Sequence, residues 1–185
     1  MLNDIKTDAQ TRMGKSIDSL KHDLTRVRTG RASTSLVDNI KVPYYGADMP
    51  LTQVASVSLA DARTIIITPW EKPMVGPIEK ALMASDLGIT PTTAGMVIRL
   101  NMPALTEERR RDLAKHVAHE GENAKIAVRN VRRDALQQVK DLLKEKLITE
   151  DEDRRADDEI QKLTDRAVKD IDAVVKAKEE ELMAL

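Results

Sequence analysis

Cysteine and phenylalanine are absent from this 185-residue chain, and its aromatic side chains are one tryptophan and two tyrosines. Without cysteine there are no disulfides and no thiolate metal sites, so the fold rests on its own apolar core and suits a reducing compartment. So few aromatics argue against reading single-stranded nucleic acid by base stacking, which leaves electrostatics to carry any RNA contact. No apolar run approaches the length of a membrane span, and the N-terminus MLNDIKTDAQ carries acids where a signal peptide has a basic region and an apolar stretch. The expectation is a cytoplasmic protein with no membrane association. Also missing are a Walker loop, a dinucleotide glycine pattern, the G-x-S-x-G elbow and a cysteine nucleophile, so neither enzymatic activity nor a cofactor is expected.

What the chain has in abundance is charge, 33% of residues, with 30 basic groups against 31 acidic. The net charge of −1 hides a segregation. Residues 1–30 carry six basic and four acidic groups, 31–105 six and six, 106–148 eleven and eight, and 149–185 seven and thirteen. An acidic last segment thus conceals two mildly basic ones, and the overall balance does not exclude a polyanionic partner.

Apolar spacing divides the chain. Met13, Ile17, Leu20, Leu24 and Val27 follow one another at steps of four and three residues, the seam of a helix packed along its length, which ends at Gly30. From about Arg31 to Ala104 the character changes: all seven prolines and most of the glycines lie there, between short β-branched runs. Strands are expected at Ile40 to Tyr44, Val54 to Leu59, Thr64 to Thr68 and Met96 to Asn101, with a helix over Val75 to Ser85 that turns Ile78 and Leu82 inward. The helical period returns at Thr106, a candidate cap followed by Glu107 and Glu108. One stripe then runs through Leu113, Val117, Ala124, Val128, Val131, Ala135, Val139 and Leu142. A capping box, Thr149 with Glu152, opens a last helix whose stripe is Ile160, Leu163, Ala167, Ile171, Val174 and Leu182.

None of these helices can bury its stripe alone, so the fold class expected is α+β and mainly helical, an elongated three-helix bundle with an inserted small β/α/β domain. Residues 1–30 and 105–185 make the bundle and 31–104 the insert. At about 1.5 Å per residue the bundle is a rod up to about 60 Å long. The chain crosses between the parts at Gly30 and Arg31, and again at Pro103, Ala104 and Leu105; glycine gives backbone freedom and proline blocks helix extension, so these residues read as a hinge.

Two basic stretches stand out. Between Asp23 and Asp38 there are no acids, but Arg26, Arg28 and Arg31. In the long helix, Lys125, Arg129, Arg132 and Arg133 are spaced by three and four residues on the face opposite Val128 and Val131. Guanidinium forks on a rigid helix suit phosphates, which they grip in a bidentate manner. Composition leaves open a second reading, a solvated face balanced by Asp134, Asp141 and the acidic last helix. Arg109, Arg110 and Arg111 follow Glu107 and Glu108, where intrahelical pairing is the simpler account. His116, His119 and Glu120 lack the H-E-x-x-H order and a third ligand, so they read as ordinary surface and no metal is expected. Trp70 fits either a plug of the small domain or a partner contact, with the core favoured because lone tryptophans usually pack, and Tyr44 and Tyr45 read as a strand end and turn before Gly46.

Four segments in order, RTGRAS at 28–33, TPWEKP at 68–73, MPALTEERRRDL at 102–113 and RNVRRDA at 129–135, resemble the bacterial ribosome recycling factor family over essentially the whole chain. The resemblance implies an L-shaped monomer of two domains. The bundle would lie on the large ribosomal subunit against 23S rRNA, and the insert would be engaged by elongation factor G. It implies rRNA contact by Arg132, Arg129, Arg28, Arg31 and Arg133, with Lys125 added from spacing alone. The function implied is to split the post-termination ribosome with elongation factor G and GTP, releasing it from mRNA. Two other classes fit parts of the sequence: a helical adaptor binding client chains through an apolar groove, and a metal-dependent hydrolase at His116, His119 and Glu120.

Overall fold

The computed structural model describes residues 1–27 and 29–184. They form two compact units, Met1–Thr29 with Thr106–Ala184, and Gly30–Leu105.

The first unit is three helices, α1 (Leu2–Thr25), α4 (Glu107–Lys144) and α5 (Glu150–Met183), each packed against the other two. Their apolar stripes meet as the spacing requires. Ala9, Met13, Leu20 and Leu24 of α1 are buried with Val117, Val128, Val131 and Val139 of α4 and Ile160, Ile171 and Leu182 of α5. The buried hydroxyl of Thr164 donates to the Ile160 carbonyl at 2.9 Å, so the core keeps no orphan donor there. Both start signals work. The Thr106 hydroxyl accepts from the Arg109 amide at 3.1 Å. At α5 the Thr149 hydroxyl accepts from the Glu152 amide at 3.2 Å, while the Glu152 carboxylate accepts from the Thr149 amide at 3.1 Å.

Two features bring α4 and α5 together without a sequence signal. At Gly121 the helices approach so closely that an added Cβ would lie 2.5 Å from Cγ2 of Val175. At the end of α4 the Leu147 amide donates to the Leu142 carbonyl at 2.9 Å and the Lys146 amide to the Leu143 carbonyl at 3.0 Å. Lys146 itself takes a left-handed φ of 60°. This is the Schellman stop with lysine where glycine is usual, and a left-handed L-residue costs about 1–2 kcal/mol. Glycine loses more unfolded-state freedom than lysine, which offsets part of that gain. Lys146→Gly is therefore expected to stabilise by about 1 kcal/mol and raise the melting temperature by about 2–4 °C, as scanning calorimetry would read.

The second unit contains strands β1 (Lys41–Tyr44) and β2 (Ala47–Pro50), a short helix α2 (Leu51–Val54), then β3 (Ala55–Asp61) and β4 (Thr64–Pro69). Helix α3 (Val75–Ala84) and strands β5 (Thr92–Ala94) and β6 (Val97–Asn101) follow. All pairings are antiparallel: β1 with β2, and a four-stranded sheet in the order β3-β4-β6-β5. Ile65 and Ile67 of β4, Ile98 and Leu100 of β6, and Ile78 and Leu82 of α3 fill one core with Val37, Val42 and Leu51. The β1–β2 turn is the tight two-residue kind, with positive φ at both Tyr45 (47°) and Gly46 (85°). Where the chain enters and leaves this unit, the Ala32 amide donates to the Ala62 carbonyl and the Met102 amide to the Arg63 carbonyl, each at 2.7 Å.

Two expectations about the fold are corrected. Helix α1 ends at Thr25 and not at Gly30: the Arg26 and Val27 amides turn back to the Asp23 and Leu24 carbonyls at 3.2 and 3.1 Å, three residues behind them. Trp70 does not plug the core; it is 66% exposed. The strand explains why: Ile65, Ile67 and Pro69 point inward, so Ile66, Thr68 and Trp70 fall on the other face of a period-two chain. The Trp70 amide donates to the Val54 carbonyl at 3.1 Å and so holds the alternation past the end of the strand. The residue after it, Glu71, accepts the hydroxyls of Tyr44 at 3.2 Å and Tyr45 at 3.0 Å, tying the β1–β2 hairpin to the chain beyond β4.

Candidate nucleic-acid interface

The basic face of α4 exists because the helix buries Val128, Val131, Ala135 and Val139 on its other side. Arg129, Arg132, Arg133 and Lys140 surround one surface cavity of about 290 Å³, completed by Leu136 and Gln137. Arg129 and Arg133 are exposed, Arg132 is half-buried, and neither Arg129 nor Arg133 forms an ion pair with a described residue. The acids nearest to them along the helix are held elsewhere. Asp134 pairs with Arg12 of α1 at 2.9 Å, and Asp141 accepts from the Gln137 amide at 3.0 Å. Arg132, which also lines the cavity, donates its Nε–H to the Gln161 side-chain oxygen of α5 at 2.8 Å, a bond that does not use its terminal nitrogens.

Lys125 is not brought to that cavity. Its ammonium is 2.6 Å from Asp172 of α5 and 3.5 Å from Glu122. The hydrogen bond to Asp172 raises its pKa from 10.5, against the opposing effect of burial. A cross-helix ion pair therefore engages the cation that helical spacing alone places beside Arg129. Arg31 is exposed at the start of the second unit, and Arg28 lies outside the described residues. Gly30 is left-handed (φ 79°), with an added Cβ 3.2 Å from Leu105 Cγ and 3.6 Å from the Pro103 carbonyl oxygen. Arg111 pairs with Glu107 at 2.6 Å, one helical turn back. Among the described residues no cluster of three or more His, Cys, Asp or Glu side chains could hold a metal ion, and no helix is long and apolar enough to cross a membrane.

Asp157 of α5 feels both Arg132 and Lys140. Burial raises its carboxyl above the usual 3.8, Asp153 raises it further, and Lys140 and Arg132 pull the other way. Its Oδ1 is buried without a hydrogen-bond partner. A carboxyl with a raised folded-state pKa binds its proton more tightly folded than unfolded, so its stabilising contribution is greatest below 3.8 and is lost as pH rises through the raised value. Asp157→Asn is accordingly expected to melt higher than the parent at pH 7, with the gap closing toward pH 3; equal melting temperatures across that range would contradict the assignment.

Fold and face together define the class: an α+β binding protein that offers a cationic patch on a three-helix bundle joined to a small antiparallel β unit. Within that class the chain belongs to the ribosome recycling factor family, matching it over residues 20–183. It is 64% identical to the ribosome-recycling factor of Xanthomonas campestris pv. campestris (strain B100) over the whole of both chains. A solution structure of the ribosome recycling factor is similar throughout, with 41% identity, a TM-score of 0.73, and 100% of this chain and 98% of that one covered. A second similar structure comprises models for the T. thermophilus ribosome recycling factor and the E. coli elongation factor G bound to the E. coli post-termination complex. It matches at 42% identity and a TM-score of 0.61, covering 98% of each chain.

Proposed function

We propose that this chain binds the post-termination ribosome through the α4 arginines and, with elongation factor G and GTP hydrolysis by that partner, separates the ribosomal subunits and releases mRNA. The observation that carries the reading is the cluster of Arg129, Arg132, Arg133 and Lys140 around one cavity, with the neighbouring Asp134 turned to Arg12. Forks at this spacing on a rigid helix suit the phosphates of 23S rRNA, and Arg28 and Arg31 are further rRNA contacts in this reading. The similar T. thermophilus factor, placed with elongation factor G on a post-termination complex, supports the choice of partners.

The chain itself catalyses nothing in this reading and acts as a cytoplasmic monomer. Its binding energy favours the ribosome state in which contacts between subunits are broken, and a ligand shifts such an equilibrium only by its preference for one state. The unit formed by 31–104 is the part that elongation factor G engages, and Gly30, Arg31, Pro103, Ala104 and Leu105 are the hinge through which its motion is passed. The left-handed Gly30 and the imino acid at Pro103 support that choice.

Equilibrium binding to isolated large subunits over a range of salt concentrations tests the reading. Three or four phosphate contacts give a log–log slope of about −2 to −4. Binding insensitive to salt would instead point to an adaptor that holds client chains by apolar contact.

A further inference from the structure

Along α5, the side chains at 153, 157, 161 and 165 follow one another at one-turn spacing, and they are Asp, Asp, Gln and Asp. The one neutral member of this row, Gln161, is the one that receives Arg132. Its amide is oriented by a second bond: the Gln161 Nε2 donates to Asp165 Oδ1 at 2.8 Å, which obliges the amide oxygen to face away from that carboxylate. That oxygen accepts the Arg132 Nε–H at 2.8 Å.

From this geometry we infer that Gln161, oriented by Asp165, is a positioning residue for Arg132, and that its neutrality is what the site requires. An acid at 161 would hold the guanidinium at least as firmly, as charge-assisted bonds do, but would cancel the charge offered to a phosphate. An apolar residue would leave the charge and release the side chain. The amide holds the Nε edge, keeps the full positive charge, and leaves the terminal nitrogens for the ligand. The inference rests on the proposed rRNA contact of Arg132. Asp157, one helical turn before Gln161, lies close enough to feel Arg132, yet the guanidinium bonds to the amide and forms no ion pair with that carboxylate.

The test uses the full chain and isolated large ribosomal subunits, with Gln161→Leu, Gln161→Glu and Arg132→Ala compared over a salt series. Position 161 is exposed, and Arg132 is a half-buried side chain on the surface of α4 outside the apolar core, so all three are expected to fold like the parent. Gln161→Leu should bind about three- to tenfold more weakly with an unchanged salt slope, since it removes a hold and no charge. Gln161→Glu should also bind more weakly, but with a slope shallower by about 0.7–0.9, like Arg132→Ala. In the free protein the Arg132 Nε–H should exchange with water more slowly than those of Arg129 and Arg133, and Gln161→Leu should erase the difference. Parental affinity and slope in Gln161→Glu would overturn the inference while leaving the arginine face standing. Parental binding by Arg132→Ala would overturn both.

Discussion

Replacing Arg129 and Arg132 together by alanine is expected to weaken binding to large ribosomal subunits by about 100-fold or more, because a hydrogen bond to a charged group contributes about 1.5–3 kcal/mol. The log–log salt slope should become shallower by about 1.5–2 as two phosphate contacts are lost. The fold should be retained. Arg129 is exposed, and the acceptor that Arg132 leaves behind, Gln161, is exposed as well and returns to water. A companion variant, Arg132→Lys, separates charge from shape. It keeps the cation but loses the planar fork and the Nε–H that Gln161 receives, so its affinity should fall while its salt slope stays parental. Filter or sedimentation binding at several salt concentrations reads both quantities. An affinity loss with no change of slope in the alanine double variant would mean that these arginines act through packing and not through phosphate.

The second large effect concerns stability. Gly121 lies in the middle of α4, where glycine costs about 1 kcal/mol relative to alanine, and it is there because α5 leaves no room: a Cβ would sit 2.5 Å from Val175 Cγ2. Gly121→Ala gains the helix propensity and meets an overpacking cost of about 1–3 kcal/mol, so it should be neutral to modestly destabilising. Gly121→Leu adds three more carbons to the same contact and should cost about 3 kcal/mol or more, lowering the melting temperature by about 6–12 °C. The cause is a single pair, which makes it separable. Val175→Ala removes the obstructing methyl groups, so the double variant Gly121→Ala, Val175→Ala should be more stable than the sum of the single changes predicts. Additive melting shifts would show that Gly121 is small for another reason. Because Gly121 and Val175 belong to the bundle, circular dichroism at the helical band reports their loss directly.

The bundle is legible in the sequence because long amphipathic helices repeat their signal. Steps of three and four from Met13 to Val27, and from Leu113 to Val139, recur often enough to survive any single ambiguous position. The caps at Thr106 and Thr149 are legible because a hydroxyl acceptor followed by carboxylates in the first turn has few other uses before an apolar run. Short elements lack such redundancy. Strand β2 reads ADMP and exists through its pairing with β1, and β5 is three exposed residues on a sheet edge. For Trp70, side-chain size suggests a core position, yet the alternation visible from Ile65 to Pro69 already points it outward, and the alternation decides. At the site, spacing within a single helix is enough to place Arg129, Arg132 and Arg133 on one face. What lies across from them is not readable that way: Asp172 opposite Lys125 and Gln161 opposite Arg132 depend on the register of α4 against α5, which Gly121 and the turn at Lys146 set.

Subunit separation is the most direct measure of the proposed activity. Post-termination ribosomes would be incubated with this chain, elongation factor G and GTP and then resolved by sedimentation, beside the same mixture with a GTP analogue that cannot be hydrolysed. The account predicts free subunits only when this chain, the factor and hydrolysable GTP are all present, with the yield reduced by the Arg129 and Arg132 double substitution. Intact ribosomes after incubation with the folded parent protein and a matched elongation factor G would contradict it.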